Sequence, residues 1–168
     1  MDQLESLYRK HASAVFRFAC GLCGEREAAE DLVSETFFRL VTRAPRIETA
    51  TALAYLLAVA RNAYLSGLRR NRREVPLTED HPSWDPDPAA RMDERARLDQ
   101  VMQALQDLSE GERSALLLRV DHDLSYEDVA AALDTTVGAA RVRVHRARLR
   151  LADALERKGV KDDARSDA

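Results

Sequence analysis

The fold is limited most by a proline-rich segment near the middle of the chain, EVPLTEDHPSWDPDP at residues 74–88. Proline fixes the backbone angle φ and lacks an N–H donor, so prolines at this density exclude a regular helix or a central strand. The segment also carries five acidic residues and no lysine or arginine. We therefore predict a solvated linker at residues 74–90, in which Trp84 packs against a domain or a partner.

Helical periodicity fills both sides of this linker. In each half, apolar side chains recur at steps of three and four residues, as along one face of an α-helix. Aromatic residues make up only 5% of the chain, and its apolar residues are dominated by alanine and leucine, which favours helix over strand. The sequence predicts an all-α protein with a three-helix domain at 1–73, a four-helix domain at 91–158 and, after a stop signal at Gly159, a disordered tail at 159–168.

The second domain contains the signals of a helix-turn-helix. Ser109 stands three residues before Glu112, and Ser125 three residues before Asp128, so each serine is placed to cap the start of a helix. Thr136 is a third candidate cap, ahead of the segment VGAARVRVHRARLRL. A short helix, a tight turn and a basic second helix make up this DNA-binding motif.

The basic helix gathers positive charge in a chain whose formal net charge is −3. One side of its helical wheel is apolar and is expected to pack on the other helices: Val137, Ala140, Val144, Ala147 and Leu151. In this motif the N-terminal half of the second helix meets base edges, and arginine is the strongest reader of guanine. We assign base contacts to Arg141, Val142, His145 and Arg146. Contacts with phosphate or with neighbouring residues are assigned to Arg143, Arg148 and Arg150.

A solvated surface is the alternative interpretation of an arginine-rich helix. Residues 135–152 contain no acid, however, so salt bridges along the helix cannot account for these arginines, and DNA binding is favoured. A second basic cluster, which we call the 69–73 cluster, ends the third helix with Arg69, Arg70, Arg72 and Arg73. One or two arginines would complement the helix dipole, and four exceed that need, which favours phosphate contact.

Three motifs resemble the extracytoplasmic-function group of bacterial sigma factors, in the order and spacing of that family. AAEDLVSETFFRL is similar to the acidic signature of sigma region 2, and AYLLAVARNAYLSGLRR to the helix that follows it. Residues 108–151 are similar to region 4, from LSEGER through LSYEDVA to VGAARVRVHRARLRL. The resemblance covers both predicted domains and leaves out the linker and the tail.

The resemblance implies a protein that binds core RNA polymerase, directs it to promoters and is silenced by an anti-sigma factor. Contacts with the polymerase clamp helices would be made by Asp31, Leu32, Glu35 and Phe38. The second domain would bind the polymerase flap, and the acidic linker would thread through the enzyme. Ser34 replaces the glutamine usual in this signature, which would weaken or alter clamp docking.

The resemblance also implies where promoter DNA binds. Arg61, Asn62 and the 69–73 cluster would lie beside the upstream duplex and the melted minus-ten strand, while the base readers of the last helix would meet the minus-thirty-five element. Asp134 stands where the helix-turn-helix usually has glycine, so that turn needs another backbone solution or is strained. Ala139, Ala140 and Val142 replace the threonine, valine and serine of the family pattern. This removes two hydroxyls from the reading end and predicts an uncommon promoter sequence.

Other functions are weighed against this one. A stand-alone helix-turn-helix regulator and a helical module that binds only protein both fit the helical pattern. No catalytic constellation, phosphate-binding glycine loop or metal-ligand spacing is present, so we expect neither an enzyme nor a cofactor. Cys20 and Cys23 fall short of the four ligands of a closed zinc site, which leaves redox sensing as their alternative role. With no signal peptide or long apolar run, we expect a cytoplasmic protein without direct membrane contact.

Overall fold

The computed structural model describes residues 2–44, 46–74 and 92–166, and within these ranges every regular element is a helix. The N-terminal domain contains α1 (Asp2–Cys23), α2 (Arg26–Thr42) and α3 (Ala52–Glu74). The C-terminal domain contains α4 (Met92–Gln106), α5 (Glu110–Leu116), α6 (Tyr126–Leu133) and α7 (Val137–Ser166), and a π-helical turn, Leu117–Asp121, continues α5. The all-α prediction is confirmed. The predicted linker, with Trp84, lies outside the described residues except for Glu74.

Large apolar side chains of α1 and α3 form the centre of the N-terminal domain. Phe18, Leu22, Leu56 and Leu57 are at most 1% exposed. Full burial of a leucine or phenylalanine side chain contributes about 1.5–3 kcal/mol, so these four side chains are a main source of the domain's stability. The turn into α2 passes through Gly24 at a φ of 69°. That backbone conformation favours glycine.

The three predicted helix caps of the C-terminal domain are present. Ser109 Oγ accepts a hydrogen bond from the Glu112 N–H at 3.3 Å, and Ser125 Oγ accepts one from the Asp128 N–H at 3.1 Å. Thr136 Oγ1 accepts from the Ala139 N–H at 3.1 Å and starts α7. Each cap satisfies one of the free N–H groups of a helix start, and this fixes the bounds of the helix-turn-helix.

The turn between α6 and α7 is closed by Asp134 in the left-handed conformation, with φ 51° and ψ 52°. Its N–H donates to the Ala131 carbonyl at 3.3 Å, and the next N–H, of Thr135, donates to the Ala130 carbonyl at 3.0 Å. These two hydrogen bonds form the kind of helix end in which the left-handed residue is usually glycine. Aspartate thus takes the backbone conformation that glycine would adopt without strain.

Replacing Asp134 with glycine is therefore expected to stabilise the protein by about 0.5–1 kcal/mol, because the left-handed penalty is removed. For a chain of this size that corresponds to a rise in Tm of about 1–4 °C. Asp134→Ala is the same-site control and is expected to lower Tm, because alanine tolerates this conformation less well. Thermal unfolding followed by circular dichroism measures the Tm of both variants. A lower Tm for Asp134→Gly would show that the backbone of Asp134 is not strained.

The two domains pack directly against each other. Their buried apolar side chains form one continuous cluster. At its centre Leu117 covers Gly21 so closely that a Cβ on that glycine would lie 2.7 Å from Leu117 Cδ1. Polar contacts surround this point: Gln106 Nε2 donates to the Gly21 carbonyl at 3.0 Å, and the Ala50 N–H donates to Asp128 Oδ1 at 3.0 Å. The chain therefore adopts a closed arrangement of its two domains, which we call the closed form.

A buried histidine lies at this interface. The His122 side chain is 1% exposed, and its ring packs edge-on against Phe18 of α1 at a centroid distance of 5.8 Å. Burial lowers the pKa of His122, and Arg17 lowers it further against the opposing effect of Asp121. Asp121 Oδ2 lies 3.3 Å from Nε2, but the two atoms lack the alignment of a hydrogen bond. The interface thus holds this imidazole in its neutral state.

Acidification is expected to destabilise the protein through His122. The folded state binds this proton less readily than the unfolded state, so the free energy of unfolding declines as pH falls below the unfolded pKa of about 6.5. His122→Leu removes the titrating group while keeping an apolar side chain. Urea unfolding at pH 7.5 and pH 5.5 is expected to show a smaller decline in the variant than in the wild type. Equal declines would contradict this assignment.

The predicted helix end at Gly159 is wrong. Helix α7 continues through this residue to Ser166. A glycine stops a helix when it takes a left-handed conformation, and among the described glycines only Gly24 has a positive φ. In a helical conformation Gly159 only weakens the helix, by about 1 kcal/mol relative to alanine.

Candidate nucleic-acid and polymerase interfaces

Helix α7 presents one side to the protein and the other to solvent, as its wheel predicted. Ala140, Val144 and Ala147 are buried, and Val137 and Leu151 pack at the edge of the core. Five of the six α7 side chains proposed as DNA-binding residues are exposed, and the sixth, Arg143, is half-buried. The exposed ones are Arg141, Val142, His145, Arg146 and Arg148. The helix therefore offers an arginine-rich face that could enter a DNA groove.

Arg141 stacks on an aromatic ring from the preceding helix. Its guanidinium carbon lies 4.7 Å from the centre of the Tyr126 ring. Arg119 approaches the same ring at 4.5 Å. Attraction between guanidinium groups and the aromatic face joins the π-helical turn, α6 and α7 at this point.

The arginines farther along the face differ in their partners. Arg150 Nη1 donates to Glu112 Oε2 at 2.9 Å, so Arg150 contacts a neighbouring residue, as its assignment allowed. Arg143 passes beside Gly111, where an added Cβ would lie 3.7 Å from Arg143 Nη1. Arg143 and Arg146 line a cleft that also includes Arg61 of α3. Residues proposed for DNA contact in the two domains thus converge on one cleft.

Arg61 is buried in the closed form, at 7% exposure. Its Nε and Nη2 donate to the two carboxylate oxygens of Glu110 at 2.8 and 3.0 Å, and its Nη1 donates to the Ala132 carbonyl at 3.3 Å. Burial alone would raise the pKa of Glu110, but hydrogen bonds from Arg61 and Ser114 outweigh it and lower that pKa. The carboxylate is therefore ionised, and Arg61 is fully engaged by the other domain.

Of the remaining DNA residues proposed in α3, those whose side chains the structure describes lie nearer the surface. Asn62 is half-buried, and its carbonyl accepts a hydrogen bond from Ser66 Oγ at 3.0 Å. Arg69 and Arg70 are exposed, while the side chains of Arg72 and Arg73 lie outside the described part of the structure.

The outer face of α2 carries most of the residues proposed for polymerase docking. Asp31 is exposed, and Phe38 is 61% exposed, which is unusual for so large an apolar side chain. Glu35 Oε1 accepts a hydrogen bond from Arg39 Nε at 2.8 Å. Leu32 is 7% exposed and belongs to the core, so its side chain does not lie on this face. The docking assignment therefore reduces to Asp31, Glu35 and Phe38.

Sequence reasoning missed three residues of these surfaces. Val41 is 63% exposed one turn after Phe38, and this spacing could have placed both on one outer face. Tyr126 and Glu110 are the other two. Their partners Arg141 and Arg61 are remote in sequence, and helical periodicity carries no signal for such pairs.

The two cysteines are free thiols in a protected environment. Burial raises the pKa of Cys20 to about 11 and that of Cys23 to about 12. Since the thiolate is the nucleophilic form of cysteine, both thiols are weakly reactive at neutral pH. The described residues contain no group of three or more potential metal ligands. Nor does any described helix have the length and apolar character needed to span a membrane.

Comparison with protein families gives two matches in chain order. The family described as Sigma-70 region 2 matches residues 7–74, and Sigma-70, region 4 matches residues 98–151. The second match contains α5, α6 and most of the exposed arginine face of α7. The first contains the outer face of α2 and all of α3.

Individual proteins agree with these matches. The ECF RNA polymerase sigma factor SigE of Mycolicibacterium smegmatis is 33% identical over 160 residues, which is 92% of this chain and 62% of SigE. EcfG of Rhodopseudomonas palustris, an ECF RNA polymerase sigma factor, is 33% identical over 148 residues, 86% of this chain and 81% of EcfG. Among solved structures, the sigma factor RpoE in complex with the anti-sigma factor NepR from Bartonella quintana has a TM-score of 0.76 and 28% identity, covering 93% of this chain and 98% of RpoE.

Proposed function

The chain belongs to the extracytoplasmic-function (ECF) group of RNA polymerase sigma factors, and we propose that it binds core RNA polymerase and directs it to a specific class of promoters. The observation that carries this proposal is the exposed arginine face of α7 within a capped helix-turn-helix, in the segment that matches sigma region 4. The family consists of transcription initiation factors rather than enzymes.

In this proposal α7 lies in the major groove of the minus-thirty-five element. Arg141, Val142, His145 and Arg146 face base edges, because they occupy the exposed N-terminal half of α7. Arg143 and Arg148 lie beside them and bind phosphate. Each arginine that reads a guanine would contribute about 1–3 kcal/mol of discrimination, and each phosphate contact would strengthen binding in a salt-dependent way.

Core polymerase binds the outer face of α2 in this proposal. Phe38 and Val41 supply apolar area, and Asp31 and Glu35 supply negative charge beside it. Exposed aromatic side chains of this kind often dominate the energy of protein interfaces. The clamp helices are the proposed partner of this face, and the polymerase flap that of the C-terminal domain.

Promoter binding in this proposal requires the closed form to open. Arg61 can reach the minus-ten DNA only after it leaves Glu110, because in the closed form it is buried and its Nε and Nη2 donate to that carboxylate. Asn62, the 69–73 cluster and Arg61 would then line one DNA-binding stretch of α3. An anti-sigma factor is the proposed agent that keeps the protein inactive, and the complex of the related RpoE with NepR supports this part of the proposal.

Co-elution and transcription assays test the function. The full chain is expected to co-elute with core RNA polymerase in gel filtration, and the resulting holoenzyme to produce run-off transcripts from promoters selected out of a random duplex library. Core polymerase alone is the control. Nanomolar binding of duplex DNA by the free chain, without binding to core polymerase, would identify a stand-alone regulator and overturn the proposal.

A further inference from the structure

Tyr126 of α6 lies where an arginine of the π-helical turn and an arginine of the reading end of α7 meet. It is the first residue of α6, and its ring is half-buried against the core. The guanidinium carbons of Arg119 and Arg141 lie 4.5 and 4.7 Å from the centre of this ring. The ring is therefore held by the protein on its buried side and engaged by two cations.

The two arginines differ in what else holds them. Arg119 Nη1 donates a hydrogen bond to the Leu124 carbonyl at 2.8 Å, which ties this arginine to the loop before α6. Arg141 is exposed, and within the described part of the chain its contact with Tyr126 is the one that orients its guanidinium. A free arginine on a helix surface samples many rotamers, and ordering it on binding DNA costs conformational entropy.

We propose that Tyr126 is a positioning residue for base recognition, which acts by holding the guanidinium of Arg141 in place before DNA arrives. This inference rests on the proposed function, in which Arg141 reads a base of the minus-thirty-five element. A guanidinium that lies over an aromatic ring keeps most of its five N–H donors free for other partners. Those donors are the ones that bond guanine O6 and N7. Tyr126 thus contributes to specificity without touching the base.

Two other roles for Tyr126 give different results in the same experiment. If Tyr126 only packs against the core, its replacement would lower stability and would weaken binding to all DNA sequences alike. As a phosphate ligand, it would act through its hydroxyl, which Tyr126→Phe removes while keeping the ring. Tyr126→Leu keeps apolar bulk and removes the aromatic face. Arg141→Ala identifies the base pair that Arg141 reads.

The experiment measures base preference in holoenzyme. Each variant of the full chain, bound to core polymerase, selects from duplexes randomised over the minus-thirty-five element, and the bound pool is sequenced. Arg141→Ala is expected to lower preference at one base pair by about 5- to 150-fold. Tyr126→Leu is expected to lower preference at the same base pair by about three- to tenfold, and Tyr126→Phe by less than about twofold. Adding Tyr126→Leu to Arg141→Ala is expected to cause no further loss.

Five results would overturn the inference. Equal loss at all positions, or equal loss in Tyr126→Phe and Tyr126→Leu, would assign packing or phosphate binding to Tyr126. An additive effect in the double variant would show that Tyr126 acts independently of Arg141. If Arg141→Ala removes the preference and Tyr126→Leu does not, only the positioning role fails. If Arg141→Ala leaves the preference intact, the assignment of Arg141 as a reader fails as well.

Discussion

Replacing Arg141 and Arg146 together with glutamate is expected to lower promoter-directed run-off transcription by at least about 100-fold. Both side chains are exposed on the N-terminal half of α7, within about three turns of its cap at Thr136. Each substitution removes a base contact that contributes about 1–3 kcal/mol and brings a negative charge against the DNA. Binding to core polymerase is expected to persist, because the proposed clamp-docking face lies on α2 in the other domain.

The control for this double variant has the same change in net charge at sites away from the proposed interfaces. Arg9 lies on α1, exposed and paired with Glu5, and Arg157 lies on the far part of α7. Arg9→Glu with Arg157→Glu is expected to keep transcription within about twofold of the wild type. Salt screens the effect of charges that lie farther from the DNA than one Debye length, which is about 10 Å. Full transcription by the Arg141 and Arg146 variant would show that α7 does not read the promoter.

The helix-turn-helix could be predicted because its signals are local. Ser109, Ser125 and Thr136 each cap a helix through a backbone N–H three residues ahead, so sequence spacing alone places them. The buried side of α7 follows from helical periodicity in the same way. The sequence also indicated that the turn at Asp134 is strained or needs an unusual backbone, because glycine usually stands there. It did not indicate which of the two applies.

The closed form could not be predicted from the same information. Arg61 and Glu110 are 49 residues apart, and the segment between them includes the proline-rich linker, so no local pattern joins them. Helical periodicity identifies an apolar face but not the helix that covers it. The sequence therefore indicated Arg61 as a DNA residue and gave no sign that the other domain binds it first.

Breaking the Arg61–Glu110 pair is expected to open the chain. Glu110→Ala leaves the Arg61 guanidinium, 7% exposed in the closed form, without its carboxylate partner. Loss of one partner of a buried pair costs about 3–5 kcal/mol, and because Glu110 is 23% exposed at its side chain we expect a smaller cost of about 1–3 kcal/mol. The uncompensated guanidinium exists only in the closed form, whereas the Ser114 Oγ bond to Glu110 is lost in both forms. The open fraction therefore rises about 5- to 150-fold where the closed form dominates.

Three variants separate this effect from general destabilisation. Glu110→Ala is expected to increase the radius of gyration in small-angle scattering and to raise the affinity of the free chain for promoter DNA, because the apparent Kd falls as the binding-competent fraction rises. Arg61→Ala breaks the same pair and is expected to open the chain without that gain, since the arginine itself is lost. Glu112→Ala breaks the neighbouring pair with Arg150 inside the C-terminal domain and is expected to leave the chain closed. In the closed form Glu110→Ala leaves a buried guanidinium uncompensated, which disfavours that form. An unchanged radius of gyration and an unchanged affinity for DNA would therefore show that this ion pair does not hold the domains together.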